Sequence, residues 1–472
     1  MSSGEGSSPS IGVAPALQAL PISHDSLLSV EQARTHLLDA AAQLLVRRGR
    51  AIAHESLPTL EANGRVLAIH QVSSLNVPSF DNAQMDGYVV RAADCVSGQA
   101  RLEVTQRIAA GQVGTALASG TAARIFTGAP IPPGADAVVM QETCEAERSA
   151  EGQYVTVRHV PFAGEWIRRV GEDIYAGKQI LAAGTRLSPL ALGLAASVGL
   201  AALPVVRRLR VAVLFTGDEL VMPGQSLKPG AIYNSNRFML HALLENLGCR
   251  ITDYGTIADT LAATRQILRD AAREHDLVIA CGGVSVGEED HVKAAVEAEG
   301  SLAMWRIAMK PGKPLAFGVL RRFFGEDEVG LERINSTRGV KETQDVEGAR
   351  DIEDLENKEP AFFFGLPGNP VSALITFLLF VRPFMLRLQG VQEVLPKPLI
   401  MRADFAWPKA DRRNEFLRVK INDAGGLDLF DNQSSSVLTS AVWGDGLVDN
   451  PAGATIAPGA LVQFIPFLAL LY

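Results

Sequence analysis

The chain has few of the features that would place it outside the ordinary globular class. Its 472 residues include only four cysteines, Cys95, Cys144, Cys249 and Cys281, widely separated and with no C-x-x-C pair. A disulfide framework or a zinc knuckle is therefore not expected, and reduced, buried thiols are. The eight histidines are scattered and form no H-E-x-x-H pair. The first 24 residues contain no lysine or arginine but much Ser, Gly and Pro. That composition lacks the charged start of a signal peptide and predicts a loose tail. The longest apolar run, Val371 to Val381, ends at Arg382, short of the roughly 20 residues that cross a bilayer. A cytoplasmic protein without a membrane span is expected.

Charge of one sign is also lacking over most of the chain. The net charge is −8, but 12 acids and 5 bases fall between Glu326 and Glu359. The acidic total thus describes one segment, and it carries no argument for nucleic acid or membrane partners. That segment, about 321–360, has little apolar periodicity and predicts a disordered surface insertion.

What is present is periodic structure of changing kind. Ser29 and Gln32 form a capping box ahead of an apolar stripe of Leu37, Leu38, Ala41, Leu44 and Leu45, which predicts a helix. From about 54 to 165, short β-branched runs alternate with Gly/Pro turns such as TGAPIPPGAD, so a small β-rich domain is expected. Ser188-Pro189 marks a second helix start. Residues 208–390 alternate strand and helix: RVAVLFTG, SNRFMLHALLENLG, RITDYG, LAATRQILRDAAREH, DLVIACGG. Repeated units of this length predict a doubly wound parallel sheet, with ligands outside the carboxyl ends of its strands. The polar motifs TGDE, IADT and GGVSVGEED fall at those ends. Beyond about 395, short strands predict a small β-barrel.

The motifs are individually modest. In CGGVSVGEEDH, backbone N–H groups of a glycine turn suit phosphate oxygens, although the acids behind them also suit a helix start. KPGKP sets Lys310 and Lys313 three apart in a segment held open by prolines, and lysines are mobile point charges for oxyanions. GLPGNPVSALITF puts Asn369 at an N-cap and Pro370 at the first helical position. IRRVGEDI places Arg168 and Arg169 beside Glu172 and Asp173. SFDNAQMDGYVVR carries Asp81, Asn82 and Asp86 around a turn. Carboxylates mixed with lysines and anion-ready turns suit an anionic ligand bound through a divalent cation.

Taken in order, FDNAQMDGYVVR, IFTGAPIPPGADAVV, IRRVGEDI, FTGDEL, GGVSVGEEDH, KPGKPLAFG and GLPGNPVSA closely resemble the molybdopterin molybdenumtransferase family, the MoeA-type enzymes that include the E domain of gephyrin. The resemblance runs from about Ser26 to the C-terminus, interrupted by the acidic segment. It implies a multidomain α/β protein, usually an elongated dimer. The parts are a helical linker domain (25–53 and 166–206), an inserted β domain (54–165), a doubly wound molybdopterin-binding domain (207–392) and a C-terminal β-barrel (393–472), after a tail of 1–24. It implies insertion of molybdate into adenylylated molybdopterin with release of AMP and a need for Mg²⁺.

Residue by residue, the resemblance points to Asp81, Thr127, Asp173, Glu219, Asp259 and Asp290 as functional polar positions. It implies Asp259, Asp290 and Glu219 for the metal. For substrate it implies Gly282, Gly283, Ser285, Arg168, Lys310, Lys313, Arg418 and Ser435, with Pro367 and Pro370 shaping the helix-start loop. Arg306 stands where many relatives have lysine, which keeps the charge. Val170 replaces a third basic residue in IRRVGEDI, so an anion contact is weakened there. The adenylyltransferase of the preceding step and the apo-molybdoenzymes are implied as further partners. Two alternatives remain: residues 208–320 also resemble the molybdopterin adenylyltransferase domain, and gephyrin itself suggests a non-catalytic scaffold.

Overall fold

Strands of the central sheet alternate their side chains between two apolar layers. The computed structural model describes residues 27–47, 53–283, 291–322 and 359–471. The expected tail (1–24), Ser285 and Asp290 lie outside them, as does most of the acidic insertion. The described chain forms two compact units. One comprises residues up to Glu55, Gly64–Ala68 and Val205 onward; the other comprises Ser56–Asn63 and Ile69–Pro204.

In the first unit a seven-stranded sheet is built from β1 (Leu27–Leu28), β2 (Arg210–Thr216), β3 (Arg250–Ile257), β4 (Leu277–Cys281), β5 (Gly300–Ile307), β6 (Pro314–Leu320) and β7 (Ala361–Leu366), in the order β1-β5-β6-β7-β4-β2-β3. Val211, Val213 and Phe215 of β2 point into one core with Ile279, Phe364, Leu240 and Phe384. Ala212 and Leu214 point into the other, with Leu268, Ala271, Val292 and Val296. Period-two alternation with both faces buried is the pattern of a sheet wound on both sides. Helices α2 (Ser235–Asn246) and α3 (Leu261–Glu274) cover opposite faces.

The sheet departs from an all-parallel one at a single strand. β6 pairs antiparallel with both β5 and β7, while β3-β2-β4-β7 are mutually parallel. The sequence of β6, LAFGVL, is apolar throughout and carries no mark of direction. Its consequence is positional: because β6 runs backwards, its first residues lie at the edge where β7, β4 and β2 end.

Helix α1 (Val30–Arg47) starts with the predicted capping box. The Ser29 N–H donates to Gln32 Oε1 at 2.9 Å, and the Gln32 N–H donates to Ser29 Oγ at 3.1 Å. Its apolar face, Ala33, Leu37 and Ala41, enters the same core as β2 and β7, so it belongs to the first compact unit. The apolar run after GLPGNP is longer than its eleven residues suggest. The helix continues through Arg382 as Pro370–Leu388, long and apolar enough to cross a bilayer, but it is almost wholly buried inside the protein. Arg382 is buried too, donating to Val394 O at 3.0 Å and Ala469 O at 3.1 Å. A π-helical turn, Phe377–Val381, leads into Pro383, which has no N–H for an α-helical bond.

The C-terminal sheet orders Met309–Lys310, Asn414–Ile421, Gly446–Asn450, Leu461–Pro466 and Leu399–Arg402, with Leu427–Leu429 beside Asn414–Ile421. An isolated bridge pairs Ala403, the residue after Leu399–Arg402, with Leu427. The second unit holds a six-stranded sheet including Gly87–Val90, Ala100–Ile108 and Thr121–Ile125, and the predicted helix, Pro189–Ser197, capped by Ser188 Oγ.

Candidate functional site

Strand ends converge because the registers align them. Phe215 lies opposite Cys281, Cys281 opposite Leu366, and Gly365 opposite Ala316 near the start of β6. The turns TGDE, GLPGNP and KPGKP and the pair Gly282–Gly283 are therefore brought to one edge of the sheet. Gly282 adopts φ +95°, and a Cβ there would sit 2.6 Å from the Thr216 carbonyl oxygen. Only glycine permits that turn. Gly312 adopts φ +97°, and a Cβ would stand 2.9 Å from Thr376 Oγ1, so KPGKP packs directly on the helix that follows GLPGNP.

Between these two loops lies a cavity of about 460 Å³, lined by Lys310 to Pro314, Pro367 to Asn369, Ser372, Arg413 and Gln433 to Ser435. Of the residues singled out from sequence, Lys310, Lys313, Pro367 and Ser435 line it. Pro370 starts the helix behind it. Asn369 occupies the N-cap position without capping through its side chain, and the Val371 N–H donates to Ser435 O at 3.0 Å, which ties the serine loop to the helix start.

The two lysines differ. Lys310 Nζ lies 2.9 Å from Glu415 Oε1 and 3.7 Å from Asp411 Oδ2. Glu415 is 1% exposed and also accepts from Trp407 Nε1 at 2.6 Å. The strand pairing of Met309–Lys310 with Asn414–Glu415 produces this meeting. Lys313 is exposed, and among the described residues no acid pairs with it. It is the cavity lysine whose charge stays available to an oxyanion. Arg413, which sequence reading passed over, lines the cavity as well; Asp411 holds its guanidinium at 2.8 and 3.0 Å, and this pairing holds the Asp411 carboxyl well below the usual range.

Arg418 does not line the cavity. It is 1% exposed, and burial lowers its pKa to about 10. It donates to Ser440 Oγ at 3.1 Å, Phe416 O at 3.2 Å and Ser434 O at 3.3 Å. The Gln433 amide brackets the Arg418 backbone at 2.9 and 3.0 Å. Arg418 thus supports the serine loop from beneath. The reason is position on the strand: Phe416 and Arg418 share one face, Leu417 and Val419 the other, and both faces are buried from Glu415 to Val419.

Glu219 and Asp259 follow the carboxyl ends of the neighbouring strands β2 and β3, both exposed and neither paired with a cation among the described residues. Such hard oxygen donors suit Mg²⁺. No group of three metal-ligating side chains forms among the described residues; the third expected ligand, Asp290, lies outside them. Gly282 and Gly283 begin the turn after β4. Cys281, whose thiol burial pushes up to about 12, is protonated at neutral pH and unsuited to nucleophilic work. Arg306 is exposed on β5, opposite Pro314.

In the second unit the expected residues form a cluster of their own. Asp81 accepts from Arg169 Nη1 at 2.6 Å and from the Val170 N–H at 2.8 Å; the Val170 bond lowers its pKa most, desolvation opposes it, and Arg169 lowers it further. Position 170 thus contributes its backbone where a basic side chain is absent. Thr127 is fixed by Asp86, which accepts from its N–H at 2.8 Å and its hydroxyl at 2.7 Å. Arg168 Nη1 reaches Asn82 Oδ1 at 3.4 Å across the pairing of Ile167–Arg168 with Asn82–Ala83. Asp173 is exposed. Arg169 and Asp86 are the structural partners that sequence reading left unassigned; their spacing inside the quoted motifs was the available signal.

Comparison with known proteins covers nearly the whole chain. Residues 28–199 match the family described as MoeA N-terminal region (domain I and II), 212–387 the probable molybdopterin binding domain, and 401–467 the MoeA C-terminal region (domain IV). A molybdopterin molybdenumtransferase of Haemophilus influenzae is 37% identical over 406 residues, covering 85% of this chain and 89% of that one. Molybdopterin molybdenumtransferase 2 of Mycobacterium tuberculosis is 34% identical over 433 residues, 88% of this chain and 95% of its own. Among solved structures, the molybdopterin biosynthesis moeA protein from Pyrococcus horikoshii OT3 superposes with TM-score 0.72 at 25% identity, covering 93% of this chain and 99% of that one.

Proposed function

This chain belongs to the molybdopterin molybdenumtransferase family and serves molybdenum cofactor biosynthesis by inserting molybdenum, and we propose that it takes molybdate and adenylylated molybdopterin, breaks the adenylate's pyrophosphate bridge and releases AMP. The observation that carries this reading is the single edge at which an unpaired lysine, anion-ready turns and unpaired carboxylates stand together.

Lys313 and the Ser434–Ser435 loop hold the molybdate oxyanion in the cavity between KPGKP and GLPGNP, and the helix start behind Pro370 adds its dipole. Lys310 contributes position more than charge, since Glu415 already neutralises it. Arg418 keeps the serine loop in place. Gly282 and Gly283, with Ser285, bring backbone N–H groups close to a phosphate, because no side chain intervenes. Glu219 and Asp259, with Asp290, would hold Mg²⁺, which offsets the charge of the pyrophosphate when bound. In the second unit, Asp81 fixes Arg169, and Thr127, Arg168 and Asp173 are further functional polar positions that the family resemblance implies. The protein works as a homodimer in the cytoplasm, receives its substrate from the adenylyltransferase and passes its product to apo-molybdoenzymes.

AMP release from adenylylated molybdopterin, measured with and without molybdate and Mg²⁺, tests the proposal. Release that requires both is expected. Formation of adenylate from ATP and molybdopterin would instead make the chain an adenylyltransferase. Absence of either reaction in a folded dimer would leave a scaffold. Asp290→Asn is expected nearly to abolish AMP release.

A further inference from the structure

The amino-terminal edge of the sheet, at the far end of β2 from the reaction pocket, holds a second cavity of about 320 Å³. Arg210 and Arg250, the first residues of β2 and β3, line it together with Thr252 and with Arg273, Glu274 and His275 from the end of α3. Three guanidiniums thus face one carboxylate on its wall. Fold stabilisation accounts for part of this cluster. Buried Asp276 binds Arg207 at 2.8 and 2.9 Å and Arg210 Nη2 at 3.0 Å, and Arg273 lies 3.7 Å from Asp270.

One group is left over. Arg250 is exposed, and its guanidinium makes no hydrogen bond or ion pair among the described residues. His275, 3% exposed, donates from Nδ1 to Ala271 O at 2.9 Å, and burial holds it toward the neutral form. Guanidiniums present paired donors to tetrahedral oxyanions, and several converging on a small cavity favour a dianion over a single carboxylate.

We propose that this cavity binds a phosphate group, at a site separate from the molybdate pocket. The ligand is either free phosphate or a small phosphorylated metabolite, bound mainly through Arg250 and Arg273, with Thr252 beside them.

Calorimetric titration of the full chain with inorganic phosphate at low ionic strength tests this. Arg250→Ala is expected to weaken binding about tenfold or more, and Arg250→Ala with Arg273→Ala to remove it, while Arg148→Ala, at an exposed arginine of the second unit, leaves it unchanged. Arg250→Lys, which keeps the charge but not the fork, should restore part of the affinity; unfolding temperatures of all variants check that each is folded. Equal affinity for ribose 5-phosphate identifies free phosphate as sufficient, and tighter binding identifies a phosphorylated metabolite. Phosphate affinity unaltered in Arg250→Ala and in the double variant, or lost only in Arg148→Ala, would overturn the assignment.

Discussion

Arg210 and Thr216 stand at opposite ends of one strand, and the chain treats the two ends of its sheet in different ways. At the amino end, side chains hold the polar groups in place. Asp276 is buried beneath Arg207, Arg210 and Arg322, and although burial alone would raise its pKa, Arg207 and Arg210 hold it far below the usual carboxylate range. At the carboxyl end, backbone geometry dominates. Glycine turns, an N-cap without a side-chain bond and a lysine with no acid partner leave donors facing a cavity. A buried, fully paired carboxylate stabilises the fold only while all its partners remain, whereas open donors add little to stability and are available to ligand.

The contrast is broken most forcefully at Asp276. Asp276→Ala strands Arg207 and Arg210 beside apolar strands and is expected to cost about 3–5 kcal/mol, measured by urea unfolding. A loss below about 1 kcal/mol would mean that the amino edge is no more structural than the other. No variant at the carboxyl edge made of exposed groups alone should approach that figure.

The two cavity lysines sharpen the comparison within the carboxyl edge. Lys310→Ala leaves Glu415 buried with only Trp407 and Asn450 as donors, so a destabilisation of about 1–2 kcal/mol is expected. Lys313→Ala should change stability by less than about 0.5 kcal/mol and raise KM for molybdate about tenfold. Steady-state AMP release across molybdate concentrations, beside unfolding curves for both variants, separates the two. Equal kinetic effects with equal stability would show that the Glu415 pairing does not distinguish them.

These differences explain what the sequence made legible. The capping box at Ser29, the helix start at Pro370 and the strand ends at TGDE and IADT were readable because each depends on neighbours in the chain. The placement of KPGKP beside GLPGNP was not readable as geometry, since it follows from the reversed direction of β6, and LAFGVL is apolar in either direction. Lys310 and Lys313 looked equivalent for a similar reason: Glu415 lies 105 residues away, and only the pairing of two sheets brings it to one of them. Arg418 was expected at the ligand from the family resemblance alone; the strand that carries it is covered on both faces, and the arginine is buried there. Asp81 read as a functional acid, and the structure shows it first as the group that fixes Arg169 and the Val170 backbone.

The smallest expected effect returns to the amino edge. Desolvation lowers the pKa of His275 and Arg210 lowers it further, against the Ala271 carbonyl, Glu274 and Asp276, which favour the charged ring. In the unfolded chain the ring titrates near its ordinary value of about 6.5. Between that value and the lower folded one, the unfolded state binds more protons, so the stability attached to this residue is present above about pH 6.5 and declines as pH falls below it. The slope cannot exceed about 1.4 kcal/mol per pH unit for one group. Urea unfolding of the wild type and of His275→Gln from pH 8 to pH 5.5 tests this, because carboxylates titrate mostly below that window. The wild type should lose stability faster than the variant as pH falls. Parallel curves would show that His275 binds protons equally in the folded and unfolded chain, and that its burial contributes nothing to the response of the amino edge to acid.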